Sequence, residues 1–296
     1  MSPTARRWRI EDPFQQGGIE IAGFDWGGDG PIALLHHANG FCAATWGLVA
    51  KQLCSRYRVV AVDARGHGDS ETRPIPDGYR WEYLASDLAQ VARRLLEETA
   101  EQSIALGVGS SMGGIITAGA EARHPGLFQR IAMLDPPIHP SDALLQELGM
   151  ALPTEQPNIA AQARKRSAIW PSRDTARQAW RDKPMFSTWQ PEAFELYVNE
   201  GFRDREDGSV ELKCDPHVEA TIFETTGSLD TFEFAPRVAA PVLLVRAGRG
   251  QFPAPIFEHL ARLFPDCDYR VVDAGHLLPM EAPELAVELL DEFATA

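Results

Sequence analysis

The sequence predicts an α/β fold, a mostly parallel central sheet flanked by helices, and three observations predict it. Short apolar runs alternate with helical stretches along most of the 296 residues. One stretch, Trp81–Thr99, has the spacing of a long amphipathic helix, with Leu84, Leu88, Val91, Leu95 and Leu96 three or four residues apart. A third segment, Ser103–Gly114, carries an apolar strand through a glycine-rich turn straight into a helix-compatible run.

Taken in order, strand-like segments near Ile19–Phe24 and Ile32–His36 come first, then a helix over Ala43–Cys54 and a strand at Arg58–Val62. The amphipathic helix Trp81–Thr99 leads to strand Ser103–Val108, helix Met112–Arg123 and strand Arg130–Leu134. The pattern resumes with strand Val242–Val245, helix Pro255–Leu263, strand Asp268–Val272 and a closing helix near Glu284–Phe293. Such alternation implies a sheet covered on both faces. The domain expectation is therefore one α/β core, residues 1–135 and 236–296, interrupted by a mainly helical insertion at 136–235. That insertion holds Trp170, Trp180, Trp189, Phe186, Phe194, Tyr197 and Phe202. It is expected to roof the carboxyl edge of the sheet, where α/β proteins bind ligands; the plainer alternative is that its aromatics fill a core of their own.

Composition narrows the chemistry. Hydrophobic residues make up 44% and charged residues 24%, an ordinary globular balance. The formal charge of −14 would repel a nucleic-acid backbone, so no nucleic-acid partner is expected. No window approaches the ~18 apolar residues of a membrane span, and the first residues lack an apolar leader, so a cytoplasmic protein without a membrane partner is expected. Cys42, Cys54, Cys214 and Cys267 lie far apart without CxxC pairs, which predicts neither a zinc site nor a disulfide framework.

The chemistry concentrates at Gly109-Ser110-Ser111-Met112-Gly113. A serine on a tight strand-to-helix turn is held up at the end of the sheet, and such a turn admits only small residues two positions to either side. The pattern therefore centres on Ser111. The N–H of Met112, at the helix start, could stabilise an oxyanion.

The chain resembles the α/β-hydrolase-fold enzymes over essentially its full length, because three further motifs stand in the same order. His37-Ala38-Asn39-Gly40-Phe41, with Trp46, is similar to the family's oxyanion loop. Asp63-Ala64-Arg65-Gly66-His67-Gly68-Asp69-Ser70 is similar to its DxRGxGxS turn. Asp273-Ala274-Gly275-His276, followed by Pro279 and Glu281-Ala282-Pro283, resembles the loop that presents the catalytic histidine. The insertion falls where the family has its cap.

The resemblance implies a serine hydrolase. Ser111 is its nucleophile and His276 its base, since a hydroxyl needs a neighbouring imidazole to take its proton. The acid departs from the family's commoner pattern: nothing between Pro241 and Phe257 is acidic until Glu258, and Gln251 stands about where a carboxylate is expected. Some members place the acid after the sixth strand, and here that strand ends in Asp135. Asp135 is the expected triad acid. The alternatives are a Ser–His dyad, or an acid lent by Asp230 or Glu233, with Asp135 only capping a turn.

Asn39 and Met112 are the expected oxyanion donors, and Phe41 and Trp46 the expected substrate-binding aromatics. Arg164, Arg166, Arg173, Arg177 and Arg181 could greet an anionic substrate or simply balance nearby acids on a solvated face. The expected function is hydrolysis of a small carboxylic ester or related acyl compound, with no cofactor and no metal. Carbon–carbon bond hydrolysis and cofactor-free perhydrolysis are the rivals on the same triad. A non-catalytic ligand-binding protein of the same fold is the rival from another class.

Overall fold

The computed structural model describes residues 2–151 and 158–295. An antiparallel pair, β1 (Thr4–Asp12) and β2 (Gln15–Gly27), comes first. Strands β3 (Ile32–His36) and β4 (Arg58–Val62) follow, linked through a 3-10 turn at Ala43–Trp46 and helix α1 (Gly47–Leu53). Next are α2 (Trp81–Thr99), β5 (Leu106–Ser110), α3 (Met112–Arg123) and β6 (Ile131–Leu134). A long inserted segment then holds α4 (Asp142–Glu147), α5 (Ile159–Arg164), β7 (Ile169–Trp170), α6 (Arg173–Trp180) and α7 (Pro191–Glu200). It continues with β8 (Phe202–Asp204), β9 (Val210–Leu212), α8 (Pro216–Glu224) and α9 (Thr231–Phe234). Strand β10 (Val242–Ala247), α10 (Ala254–Ala261), β11 (Cys267–Val272), α11 (Leu278–Glu281) and α12 (Pro283–Thr295) close the chain.

Eight strands form one sheet in the order β1-β2-β4-β3-β5-β6-β10-β11, parallel from β4 onward. Side chains of a strand point alternately to opposite faces, and here both faces are covered. Ile32, Leu34, Val60, Ile131, Met133, Val242 and Leu244 pack on one face with α2, α3 and α10. Ala33, Leu35, Val59, Leu106, Val108, Leu243 and Val245 pack on the other with α1 and α12. Continuous apolar runs are what such a doubly covered sheet demands.

The connection from β3 runs outward to β4, and the next crosses back to β5 on the other side of β3. That reversal opens a crevice at the carboxyl ends of β3 and β5, the usual ligand position in open α/β sheets. The inserted segment is tied to the core beside it. The N–H of Trp81, an orphan donor of the first turn of α2, reaches Ser228 Oγ at 2.8 Å, and Trp81 Nε1 donates to Ile222 O at 2.9 Å.

Some expectations need correction. Residues Thr4–Asp12 form an edge strand that the apolar-run reading passes over. The strand that leads into Ser111 is Leu106–Ser110 rather than Ser103–Val108. The insertion also contains a three-stranded antiparallel sheet, β7-β9-β8, besides its helices. Residues 152–157 of the expected 136–235 insertion lie outside the described residues. Among the described residues no helix is long and apolar enough to cross a membrane.

Candidate active site

Strand β5 delivers Ser111 at the sheet's carboxyl edge on a turn that only glycine can flank. A Cβ on Gly109 would lie 2.1 Å from the backbone of Gly113, and one on Gly113 would lie 2.1 Å from His36 O. Ser111 itself sits at φ 54° and ψ −122°, a conformation that costs a non-glycine residue about 1–3 kcal/mol. The surrounding hydrogen bonds hold it there: Ser111 N donates to Leu134 O at 2.9 Å, and Gly114 N to Ser111 O at 2.9 Å. The serine is 8% exposed, at the floor of a crevice.

His276 arrives on the loop between β11 and α11. The carboxylate of Glu281 clasps that loop, accepting from the N–H of Gly275 at 3.1 Å and of Leu277 at 3.2 Å. Phe252 packs edge-on against the imidazole at 5.4 Å. So fixed, His276 places Nε2 3.0 Å from Ser111 Oγ and Nδ1 2.6 Å from Asp135 Oδ2.

Asp135 immediately follows β6 and is 1% exposed. Its other oxygen accepts the N–H of Ala247 at 2.8 Å, while its own N–H donates to Val245 O at 2.8 Å. Both partners belong to β10, the neighbouring strand. Asp135 also lies at positive φ, 47°. A carboxylate on Nδ1 makes that nitrogen the donor and leaves the Nε2 lone pair facing the serine. Gln251 is exposed at the cavity wall, and Asp230 is spent as the N-cap of α9, accepting from Phe232 N at 2.8 Å.

The loop after β3 packs on the Asp63–Ser70 turn through two histidines. His37 Nε2 accepts from Ala64 N at 2.9 Å, and His67 Nε2 accepts from Gly40 N at 3.0 Å. Burial holds His37 well below its ordinary pKa and His67 down to about 4. Both rings are therefore neutral and able to accept. Asp63 anchors the turn from the other side, its carboxylate taking Ala43 N at 2.6 Å and Asp69 N at 3.0 Å. The Asn39 side chain is committed elsewhere, donating Nδ2–H to Glu219 O at 2.9 Å. The Asn39 N–H has no acceptor among the described residues, and the Met112 N–H opens helix α3, where backbone donors lack intrahelical partners.

Two cavities of about 420 and 450 Å³ meet over Ser111, sharing Asn39, Ile159, Phe223, Gln251 and His276 in their walls. Phe41 lines the first. Trp46 does not line either: it is 1% exposed and packs between α1 and the sheet, so the substrate-binding expectation for Trp46 is corrected to a core role. The aromatics of the insertion do both things weighed for them. Trp180, Phe186, Trp189, Phe194, Tyr197 and Phe202 form one cluster with Phe41, and Trp180 and Phe186 also face the cavity. Of the five early arginines, Arg164, Arg173 and Arg177 pair with surface acids. Arg166 differs, reaching the cavity wall while bound to Glu219 and Tyr197. Ile159, Glu219 and Phe223 were not singled out by sequence, since nothing in their local spacing signals that the insertion folds them over Ser111. Among the described residues no group of three or more His, Cys, Asp or Glu could hold a metal ion.

A family model described as "Alpha/beta hydrolase family" matches residues 33–289. N-formylmaleamate deformylase of Pseudomonas putida is 28% identical over 259 residues, covering 86% of this chain and 85% of that protein. The abhydrolase domain-containing protein AFT2-1 of Alternaria alternata is 27% identical over 225 residues, 64% of this chain and 82% of that one. Among solved structures, E-2-(acetamidomethylene)succinate hydrolase superposes with a TM-score of 0.82 at 23% identity, each chain fully covered.

Proposed function

Because the chain belongs to the alpha/beta hydrolase family, we propose that it is a serine hydrolase that cleaves a small carboxylic ester or related acyl compound through an acyl-enzyme. One observation carries the reading: the continuous chain Ser111 Oγ, His276 and Asp135 with links of 3.0 and 2.6 Å at the floor of the cavity.

Each residue then has one role. His276 Nε2 takes the hydroxyl proton as Ser111 Oγ bonds to the substrate carbonyl carbon, and the carbonyl π pair becomes an oxyanion. Asp135 holds the imidazolium in place. The N–H groups of Met112 and Asn39 receive the oxyanion, each worth about 3 kcal/mol of barrier. Collapse of the tetrahedral centre expels the leaving group, which takes the proton from Nε2. Water then repeats the sequence and frees Ser111. In this reading residues 136–235 act as a cap whose Ile159, Phe223 and Phe186 close the site from water.

A second reading concerns the bond. Similarity to a deformylase over 86% of the chain favours a C–N acyl bond, as in an N-acyl amide. An amine leaves only when protonated, so that reading leans harder on His276 as acid.

The test is fluorophosphonate labelling with peptide mapping, on the wild type and on His276→Ala. One adduct on Ser111 that slows greatly in the variant supports an activated nucleophile. Paired p-nitrophenyl ester, formamide and diketone substrates then name the bond. A folded protein that neither labels nor turns over any of them would be a binding protein of this fold, and the proposal would fail.

A further inference from the structure

Resting on the serine-hydrolase reading, we propose that the Arg166–Tyr197–Glu219 cluster of the inserted segment, in which Tyr197 and Glu219 are buried and Arg166 half-buried, is a positioning device for the oxyanion loop. Two separate inserted helices converge on residues 39–41, which the core alone leaves as a loop, and a third inserted residue ties them together. Glu219, on α8, takes the Asn39 side chain through its backbone carbonyl at 2.9 Å. Its carboxylate packs against the Cα of Gly40, where a Cβ would lie 2.7 Å from Glu219 Oε1. Tyr197, on α7, donates its hydroxyl to Gly40 O at 3.3 Å, and its ring packs 5.1 Å from that of Phe41. Arg166, just past α5, ties these grips together, donating to Tyr197 Oη at 2.8 Å and to the carboxylate of Glu219. From below, His67 takes the Gly40 N–H.

Gly40 is thus held on its N–H by the core and on its carbonyl, in the next peptide, by the inserted segment. The Asn39 N–H, one peptide earlier, takes its direction from that grip and from the anchored Asn39 side chain. Burying a carboxylate such as that of Glu219 is costly unless it is paired. Here the pair is satisfied, and its free edge contacts the one loop whose backbone direction matters to an oxyanion. The cluster touches the cavity only through Arg166 and Glu219 and makes no contact with Ser111 or His276, so its members are positioning residues rather than catalytic ones.

The experiment reads the oxyanion directly. An aryl trifluoromethyl ketone adds to Ser111 Oγ: the C–O bond forms, the carbonyl π pair becomes the oxyanion, and the hydroxyl proton passes to His276 Nε2. Tyr197→Phe and Arg166→Met are expected to lower kcat on p-nitrophenyl acetate about 10- to 100-fold and to weaken the ketone by the same factor. KM should stay within about twofold, because only transition-state stabilisation is lost. Members of one unit are non-additive, so the double variant should cost no more than the worse single one. Arg166→Lys, which keeps the charge, should recover part of the loss. Raised KM with kcat and ketone affinity unchanged would make Arg166 a substrate contact and overturn the proposal. Lowered Tm with wild-type kcat would make the cluster merely structural and overturn it as well. A wild type that neither hydrolyses the acetate nor binds the ketone would instead remove the serine-hydrolase reading, and this one with it.

Discussion

The backbone N–H of Ala247, on β10, holds Oδ1 of Asp135 at 2.8 Å, so Oδ2 meets His276 from a fixed position. Two donors, an amide and an imidazole Nδ1–H, thus converge on one side chain that must accept at both oxygens.

An amide cannot do that. Asp135→Asn offers one acceptor and one donor, so either the Ala247 N–H is opposed or the imidazole turns to its other tautomer. The expected result is a loss of about 10⁴-fold in kcat with the fold retained. Steady-state kinetics beside circular dichroism check it, and near-full activity would remove Asp135 from the triad.

The backbone at Ser111 makes a separable prediction. Its φ of 54° suits glycine and strains any side chain. Ser111→Gly and Ser111→Ala should both be inactive, but the glycine variant should be the more stable by about 1 kcal/mol. Urea unfolding of the two variants measures the difference; equal midpoints would show that the turn is not strained.

Acid sensitivity should trace to the buried histidines. Burial pushes His36 from 6.5 down to about 4. Between those values the unfolded chain binds the proton and the folded one does not, so stability falls as pH drops from 6.5 towards 4. By linkage His36 should remove about 2 kcal/mol of stability between pH 7.5 and 5. In His36→Gln that share of the acid sensitivity disappears. Urea titrations at the two pH values give the comparison, and parallel losses in both proteins would refute it.

The Asp63–Ser70 turn rests on a buried ion pair. Arg65 Nε and Nη2 each lie 2.6 Å from the carboxylate of Asp87 on α2. Asp87→Ala strands the guanidinium and should cost about 3–5 kcal/mol, whereas Arg65→Met with Asp87→Leu should cost far less. Denaturant midpoints decide, and a mild effect of the single change would mean that Arg65 finds Asp12, now 3.6 Å away, instead.

What the residue list revealed followed physical range. Strands Ile32–His36 and Arg58–Val62 were legible because burial on both faces makes them apolar at every position but His36 and Arg58 at their ends. Thr4–Asp12 was not, because an edge strand has no continuous apolar run: exposed Arg7, Arg9 and Glu11 alternate with buried Trp8, Ile10 and Asp12, a period-two pattern that a search for apolar runs passes over. Strand β5 was ended at Val108 because Gly109 reads as a turn residue; a Cβ on Gly109 would collide with the backbone of Gly113, so that glycine belongs to close strand–helix packing. Ser111 and His276 were singled out by local motifs and Asp135 by the missing acid after Val242–Ala247, and the structure brings the three side chains within hydrogen-bond distance. The reach of Tyr197 to Gly40 was not, since 157 positions separate them and neither has a local signature. Trp46 and Phe41 looked alike by sequence; only the packing of α1 on the sheet sends one into the core and the other to the cavity wall.

Asp135 precedes the inserted segment, and that has an engineering consequence. If β6 supplies the acid, the loop after β10 is released from proton chemistry, although Gln251 on it still faces both cavities. Substrate preference can then be redrawn at this one exposed position, by library or by drift, without disturbing the charge that steadies the imidazole.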